Sequence, residues 1–261
     1  MSVRLGVVSF LNARPLVYSL NTDPRFDLML SVPSQCAADL HVGKVDVGLI
    51  PAIEYARSAA PYQIVPGLAI AATGPVLTVR LYYRKPLDQV CRVALDTSSR
   101  TSVALTKILL RERYGFEPVW VEAAPDLPSM LDVADAALLI GDPVFDQLDS
   151  SVPSLDLAAE WQAHTGSPFV FAFWAGYRGA LDTQHVAALQ AAKEAGVAHV
   201  GEIAASYAAE RGGDAALYTR YLSEHIHFSM GEREIEGVRL FYAKARAHGL
   251  IDAEPSLDFF L

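Results

Sequence analysis

The stretch Val3-Arg4-Leu5-Gly6-Val7-Val8-Ser9-Phe10-Leu11-Asn12-Ala13-Arg14-Pro15-Leu16 carries an apolar run of strand length into a polar turn and a proline-marked helix start. Val3–Val8 reads as a strand and Pro15–Leu20 as the helix after it. Proline suits the first turn of a helix, where an N–H would have no partner anyway. The amides of such a turn are free to bind an anion.

The same unit recurs. Phe26–Val32 and Val45–Ile50 read as strands, and Ser34–Val42 as a helix between them. An extended segment, Val76–Tyr83, ends at Arg84-Lys85-Pro86, where charge and proline break the pattern. A second set then begins, with strands at Arg92–Leu95, Val119–Val121 and Ala136–Ile140. Between the first two of these, Leu105, Ile108 and Leu109 keep helical spacing over Thr101–Tyr114, with Gly115 as the stop. Phe169–Trp174 is a further apolar run of strand type. From Thr183 to His248 the pattern is helical, the final helix opening on a capping box of Ser229 and Glu232 and closing at Gly249. Alternation of this kind predicts an α/β protein with largely parallel sheets. Two strand–helix sets predict two lobes with a ligand cleft between them, crossed by the chain at Leu81–Val90 and Phe169–Tyr177. Residues 1–86 and 176–261 would form a discontinuous first lobe, and 87–175 an inserted second one.

With 261 residues, 52% of them hydrophobic, the chain can bury one large core or two smaller ones. A net charge of −9 argues against nucleic acid or an anionic membrane as partner, yet leaves a local anion site open. Cys36 and Cys91 stand far apart with no C-x-x-C spacing, which suggests two free buried thiols in a reducing compartment. No export signal or membrane-spanning stretch is expected from the short, interrupted apolar runs, so the protein reads as cytoplasmic.

Four segments fall at strand ends, where the chemistry of such folds gathers. Ser9–Leu16 offers Ser9, Asn12 and Arg14. It reads either as an anion-binding turn or as a plain turn capped by Asn12 with Arg14 solvated. Val32-Pro33-Ser34-Gln35 places the Ser34 hydroxyl at a helix start. Asp96-Thr97-Ser98-Ser99-Arg100-Thr101-Ser102 gathers five hydroxyls and a guanidinium before an amphipathic helix. Ser98, Arg100, Thr101 and Ser102 would cradle a carboxylate or phosphate there. Lacking the glycines and lysine of a P-loop, this segment does not suit a nucleoside triphosphate. At Ile140-Gly141-Asp142-Pro143, glycine permits close approach, and Asp142 either orients a ligand hydroxyl or caps the next helix.

Other residues carry less. The seven histidines are scattered, and the His225/His227 pair lacks a metal-site spacing. No H-E-x-x-H, G-x-S-x-G or G-x-G-x-x-G occurs. Cys36 reads as a core thiol, and Glu54 as either a cleft base or a charge in the first turn of a helix.

In order and spacing these segments resemble the chorismate dehydratases of the futalosine route to menaquinone. The resemblance rests first on Val8–Leu16, then on Val45-Asp46-Val47-Gly48-Leu49-Ile50-Pro51, Ser99-Arg100-Thr101-Ser102, Ile140-Gly141-Asp142 and Pro168-Phe169-Val170-Phe171-Ala172. Gly231-Glu232 and Glu236-Gly237-Val238 extend it to the tail. It implies a two-lobed fold of the type II periplasmic-binding-protein kind, no metal or organic cofactor, and dehydration of chorismate to 3-[(1-carboxyvinyl)oxy]benzoate. It also implies that Asn12 is catalytic, with the substrate's own enolpyruvyl carboxylate as proton acceptor. A sister family uses a cleft histidine where this chain has Gly141-Asp142. The competing reading is a non-catalytic binding protein for a small anionic solute, which would normally carry an export signal or lipid anchor.

Overall fold

The structure, a computed structural model, describes residues 2–261. Its first half runs β1 (Val3–Val8), β2 (Phe26–Ser31), α1 (Pro33–His41), β3 (Val47–Pro51), α2 (Ala52–Arg57), β4 (Tyr62–Ala72), β5 (Val79–Tyr83), β6 (Arg92–Asp96) and α3 (Thr101–Glu112). There follow β7 (Val119–Ala123), α4 (Leu127–Val133), β8 (Ala136–Ile140), β9 (Ser154–Asp156), α5 (Leu157–Thr165) and β10 (Phe169–Tyr177). The tail is helical: α6 (Thr183–Ala198), α7 (Val200–Arg211), α8 (Ala215–Arg220) with a π turn over Tyr221–His225, and α9 (Glu232–Ala247).

Two five-stranded sheets result, ordered β2-β1-β3-β10-β4 and β7-β6-β8-β5-β9. Each has a parallel half, as the strand–helix alternation predicts, and an antiparallel half, which it does not. β10 runs antiparallel to both β3 and β4, and β5 antiparallel to both β8 and β9. Both antiparallel insertions follow from the chain leaving one sheet and returning to it. The passages lie between Ala72 and Val79 and between Asp156 and Phe169. Leu81 and Phe169–Trp174 therefore sit inside strands, and the expected crossovers move to the segments before them. Hydrogen bonding decides this, since all of β5 pairs with β8 and all of β10 with the first sheet.

Four elements escaped the pattern reading: β4, α4, β9 and α5. β4 holds Pro66-Gly67 at its middle, a dipeptide that reads as a turn. Here Gly67 takes φ +79°, and the ladder to β10 shifts register across this stretch, between the pairs at Ile64 and Ala69. It bends a long strand instead of ending it. The helix expected at Pro15–Leu20 is a 3₁₀ turn over Leu11–Val17. Pro15 has no N–H to give the Leu11 carbonyl, so an α-helix starting at Leu11 would lose its first bond. The residue at the cap is Phe10, not Asn12. The capping box of α9 lies two residues beyond expectation, with the Gly231 N–H donating to Glu234 at 2.9 Å.

The lobes close on each other through specific bonds. The Ile53 N–H of α2 donates to Thr101 Oγ1 at 3.2 Å, and the Ser34 N–H to the Ser98 carbonyl at 3.0 Å. Asp142, just past β8, accepts from the Leu11 N–H at 3.0 and 3.2 Å and from the Tyr207 hydroxyl at 2.6 Å. The Glu112 carboxylate of α3 meets Lys244 of α9 at 2.6 Å, and His164 and His248 at 2.8 Å each. Burial would raise this carboxyl, but its three partners hold it down at about 2.

Candidate active site

The strand ends and helix starts enclose a narrow cleft with a cavity of about 60 Å³. Phe10, Ile70, Ile140, Phe171 and Ile226 supply apolar walls. Asn12, Thr78, Ser99, Arg100, Thr101 and Ser102 supply the polar groups. Gly141 completes the wall in a way no other residue could. Its φ is +69°, and a Cβ there would fall 2.4 Å from the Phe10 ring.

The start of α3 forms the anion-binding side. Its cap, Arg100, makes no side-chain hydrogen bond or ion pair among the described residues, and no acidic residue stands in the first turn. Thr101 spends its hydroxyl oxygen on the Ile53 N–H, which fixes α3 against α2. Behind this turn, Asp96 is buried and accepts from the Ser98 N–H at 2.8 Å, the Ser98 hydroxyl at 2.6 Å and the Ile140 N–H at 3.2 Å. Burial pushes the Asp96 carboxyl up, against the pull of these bonds. The arrangement sets the loop before α3 and the end of β8 at a fixed spacing.

Asn12 enters from the opposite lobe. Its Oδ1 is the only buried side-chain oxygen without a hydrogen-bond partner among the described residues. A buried acceptor left unpaired costs about 1–3 kcal/mol, so this atom awaits a donor that the protein does not provide. No histidine, lysine or acidic side chain lines the cleft among the described residues.

Thus Asn12, Arg100, Thr101, Ser102 and Gly141 come together as expected, and five other candidates do not. Ser9 and Arg14 face a separate outer groove. The Arg14 guanidinium there is taken by Glu210, at 3.0 and 2.6 Å, and stacks 4.7 Å over the Tyr207 ring. Ser34 lies outside the cleft lining and gives its N–H to the other lobe, while Ser98 turns inward to Asp96. Asp142 neither faces a ligand nor caps a helix. Its carboxylate is consumed by Leu11 and Tyr207, and burial pushes its pKa up against those bonds and the nearby Arg211 and Arg14. Glu54 sits away from the cleft, bound to Arg57 at 3.0 Å and His41 at 3.3 Å. Cys36 is buried, with its thiol pushed up to about 11, whereas Cys91 is free but exposed, not buried as expected.

Sequence patterns did not signal Thr78, which follows the passage between sheets, or Tyr221, which lies in a helical stretch with no local mark. Thr78 lines the cleft and meets the wholly buried Tyr221 hydroxyl at 2.6 Å.

A profile described as menaquinone biosynthesis matches residues 3–247. The chain belongs to this family. The chorismate dehydratase of Thermus thermophilus is 30% identical to it, the match covering 94% of this chain and 95% of that one. Protein AF1704 from Archaeoglobus fulgidus superposes with a TM-score of 0.79 at 20% identity, over 96% of this chain and 98% of that one. The periplasmic aliphatic sulphonate binding protein SsuA from Escherichia coli gives 0.68 at 15% identity, over 97% and 94%. The menaquinone-family chain therefore has the two-lobed periplasmic-binding-protein fold, with its cleft at the junction of the two sheets.

Proposed function

We propose that the protein is a chorismate dehydratase, a carbon–oxygen hydro-lyase that converts chorismate to 3-[(1-carboxyvinyl)oxy]benzoate and water in the cytoplasm. The observation that carries this reading is the pairing of Asn12 Oδ1, buried and unpartnered, with the open start of α3 across one apolar cleft. Chorismate has two carboxylates and one hydroxyl, so it brings anions for α3 and a donor for Asn12.

The chemistry needs little beyond this. The C3 hydrogen of chorismate is acidic because the C1=C2 bond conjugates C3 with the ring carboxylate. Loss of that proton and of the C4 hydroxyl gives an aromatic ring. The α3 amides, Ser102 and Arg100 hold a carboxylate and stabilise negative charge spreading onto it. Asn12 accepts from the C4 hydroxyl and fixes the bond that breaks. A cleft without an ionisable base leaves the substrate's enolpyruvyl carboxylate to take the C3 proton, which then leaves with the departing hydroxide as water. The apolar walls exclude solvent and strengthen each of these interactions. No metal or organic cofactor, nucleic acid or membrane enters this scheme.

Incubation of the purified protein with chorismate, followed by mass analysis, tests the proposal. The expected product is lighter than chorismate by one water and absorbs as a substituted benzoate. Tight binding of chorismate without turnover would replace the proposal with the solute-binding reading.

A further inference from the structure

Arg100 and Lys107 are the only half-buried arginine or lysine side chains among the described residues that make neither a hydrogen bond nor an ion pair. Lys107 rests against a ring alone, its ammonium 5.2 Å from the centre of the Trp120 indole. Both residues line one pocket of about 200 Å³, which lies past the ends of β6 and β7. Arg57, the last residue of α2, closes it from the other lobe. Its guanidinium is held at 3.0 Å by Glu54 and at 3.3 Å by the Leu250 carbonyl. The acids of the pocket do not answer these charges. Asp96 is spent on Ser98 and Ile140, and Glu122 forms no ion pair with either cation. The buried side-chain nitrogens without a partner belong to Arg111 and Trp174, so the free nitrogens of Arg100 and Lys107 are open to solvent. Burial, and then the charges of Arg111 and Arg57, hold the Lys107 ammonium below its ordinary range. An anion in the pocket would offset that repulsion.

We propose that Arg57, Arg100 and Lys107 form a second anion site, separate from the substrate cleft, that takes a doubly charged oxyanion of the phosphate class. Three cations around one pocket match a dianion, whereas a single carboxylate would leave them in excess. Arg100 couples the two sites. It lines both cavities, as does Ser99, and a guanidinium turned toward one is turned from the other. Phosphate in the pocket therefore competes with a ligand carboxylate for Arg100 without entering the cleft. Linkage makes the effect reciprocal, so a carboxylate in the cleft weakens phosphate equally. On the dehydratase reading, phosphate lowers the affinity for chorismate, and saturating chorismate recovers full turnover.

Two measurements are needed, because the kinetic one rests on the dehydratase reading and the binding one does not. The ligand-free protein is titrated in a calorimeter with inorganic phosphate, against sodium chloride at equal ionic strength. Binding should be saturable, lost in Lys107→Gln and kept in Lys107→Arg. Glycerol 3-phosphate as a second titrant separates a phosphate monoester from the free anion by which of the two binds tighter. Acetate should bind far more weakly than either, and acetate binding as tight as phosphate overturns the dianion assignment. With chorismate, phosphate should raise the wild-type KM by about fivefold or more, the size of an ordinary coupling between sites, with kcat unchanged. Lys107→Gln should have the wild-type KM in phosphate-free buffer and keep it when phosphate is added. If Lys107→Gln fails to fold, Arg57→Gln carries the same test. A wild type that binds no phosphate overturns the site. So does undiminished binding in Lys107→Gln, which would put the anion in the cleft. Phosphate that binds yet leaves KM unmoved overturns the sharing of Arg100. A wild type that leaves chorismate intact, while Lys107→Gln still abolishes phosphate binding, sinks the dehydratase reading and leaves the anion site standing.

Discussion

Replacing Asp142 by alanine should loosen closure of the lobes without removing any group that touches the ligand. Asp142 follows β8 in one lobe and accepts from Leu11 and Tyr207 in the other, at 3.0 and 2.6 Å for the shorter contacts. It is 4% exposed. Hydrogen bonds to a charged acceptor contribute about 1.5–3 kcal/mol each, so two of them set a ceiling of roughly 3–6 kcal/mol if both donors stay buried and unpaired. Opening of the lobes gives both donors to water. The loss therefore falls on the closed form relative to the open one, not on the fold as a whole. Taking the low end, about 3 kcal/mol shifts the closed fraction by roughly two orders of magnitude, and apparent affinity falls with that fraction. Asp142→Ala should raise KM for chorismate strongly, change kcat at saturation less, and enlarge the ligand-free protein in small-angle scattering. Asp142→Asn keeps one acceptor and should fall between. An alanine variant with unchanged KM and an unchanged scattering profile would refute the latch.

Three further outcomes are expected. Asn12→Ala should cut kcat by about 10²–10³ with a smaller change in KM; a well-folded variant with near-normal kcat would remove Asn12 from the chemistry. Glu112 is held at about 2 against an ordinary 4.5, so its contribution to stability is complete above pH 4.5 and is lost as pH falls toward 2. Melting curves of wild type and Glu112→Gln should lie apart at neutral pH and converge over that window, and parallel curves would dismiss the cluster. Gly141→Ala places a Cβ 2.4 Å from the Phe10 ring at φ +69°; strain of about 1–3 kcal/mol should lower Tm by several degrees, which differential scanning calorimetry would show.

Local chemistry explains which parts of this molecule were legible before the structure. β1, β6 and β8 are apolar runs bounded by polar turns, and α3 keeps helical spacing from a hydroxyl-rich start to a glycine stop. Each signal lies within a dozen residues, and each element formed where its pattern lay. The same holds for the α3 start and for Asn12, since strand ends in such sheets point at the cleft. β4 was hidden because Pro66-Gly67 marks a turn in most contexts, and only the ladder to β10, about a hundred residues on, makes it a bend.

Two of the misplaced site residues, Arg14 and Asp142, share one cause. Ser9–Leu16 displays Arg14 as prominently as Asn12, and Ile140–Pro143 displays Asp142 as prominently as Gly141. What separates them is whether a partner from the far end of the chain has already claimed the side chain. Glu210 takes Arg14, while Tyr207, one turn earlier on the same helix, takes Asp142. α7 therefore does two things at once: it neutralises a cation that would otherwise compete for the anionic substrate, and it anchors the opposite lobe. Asn12 and Arg100 are left with unspent hydrogen-bonding capacity. Their availability is a property of the closed fold, because the Asp142 latch that consumes one candidate also places Asn12 opposite α3. Substitution of Tyr207 by phenylalanine should accordingly weaken binding through Asp142, even though its ring never meets the cleft.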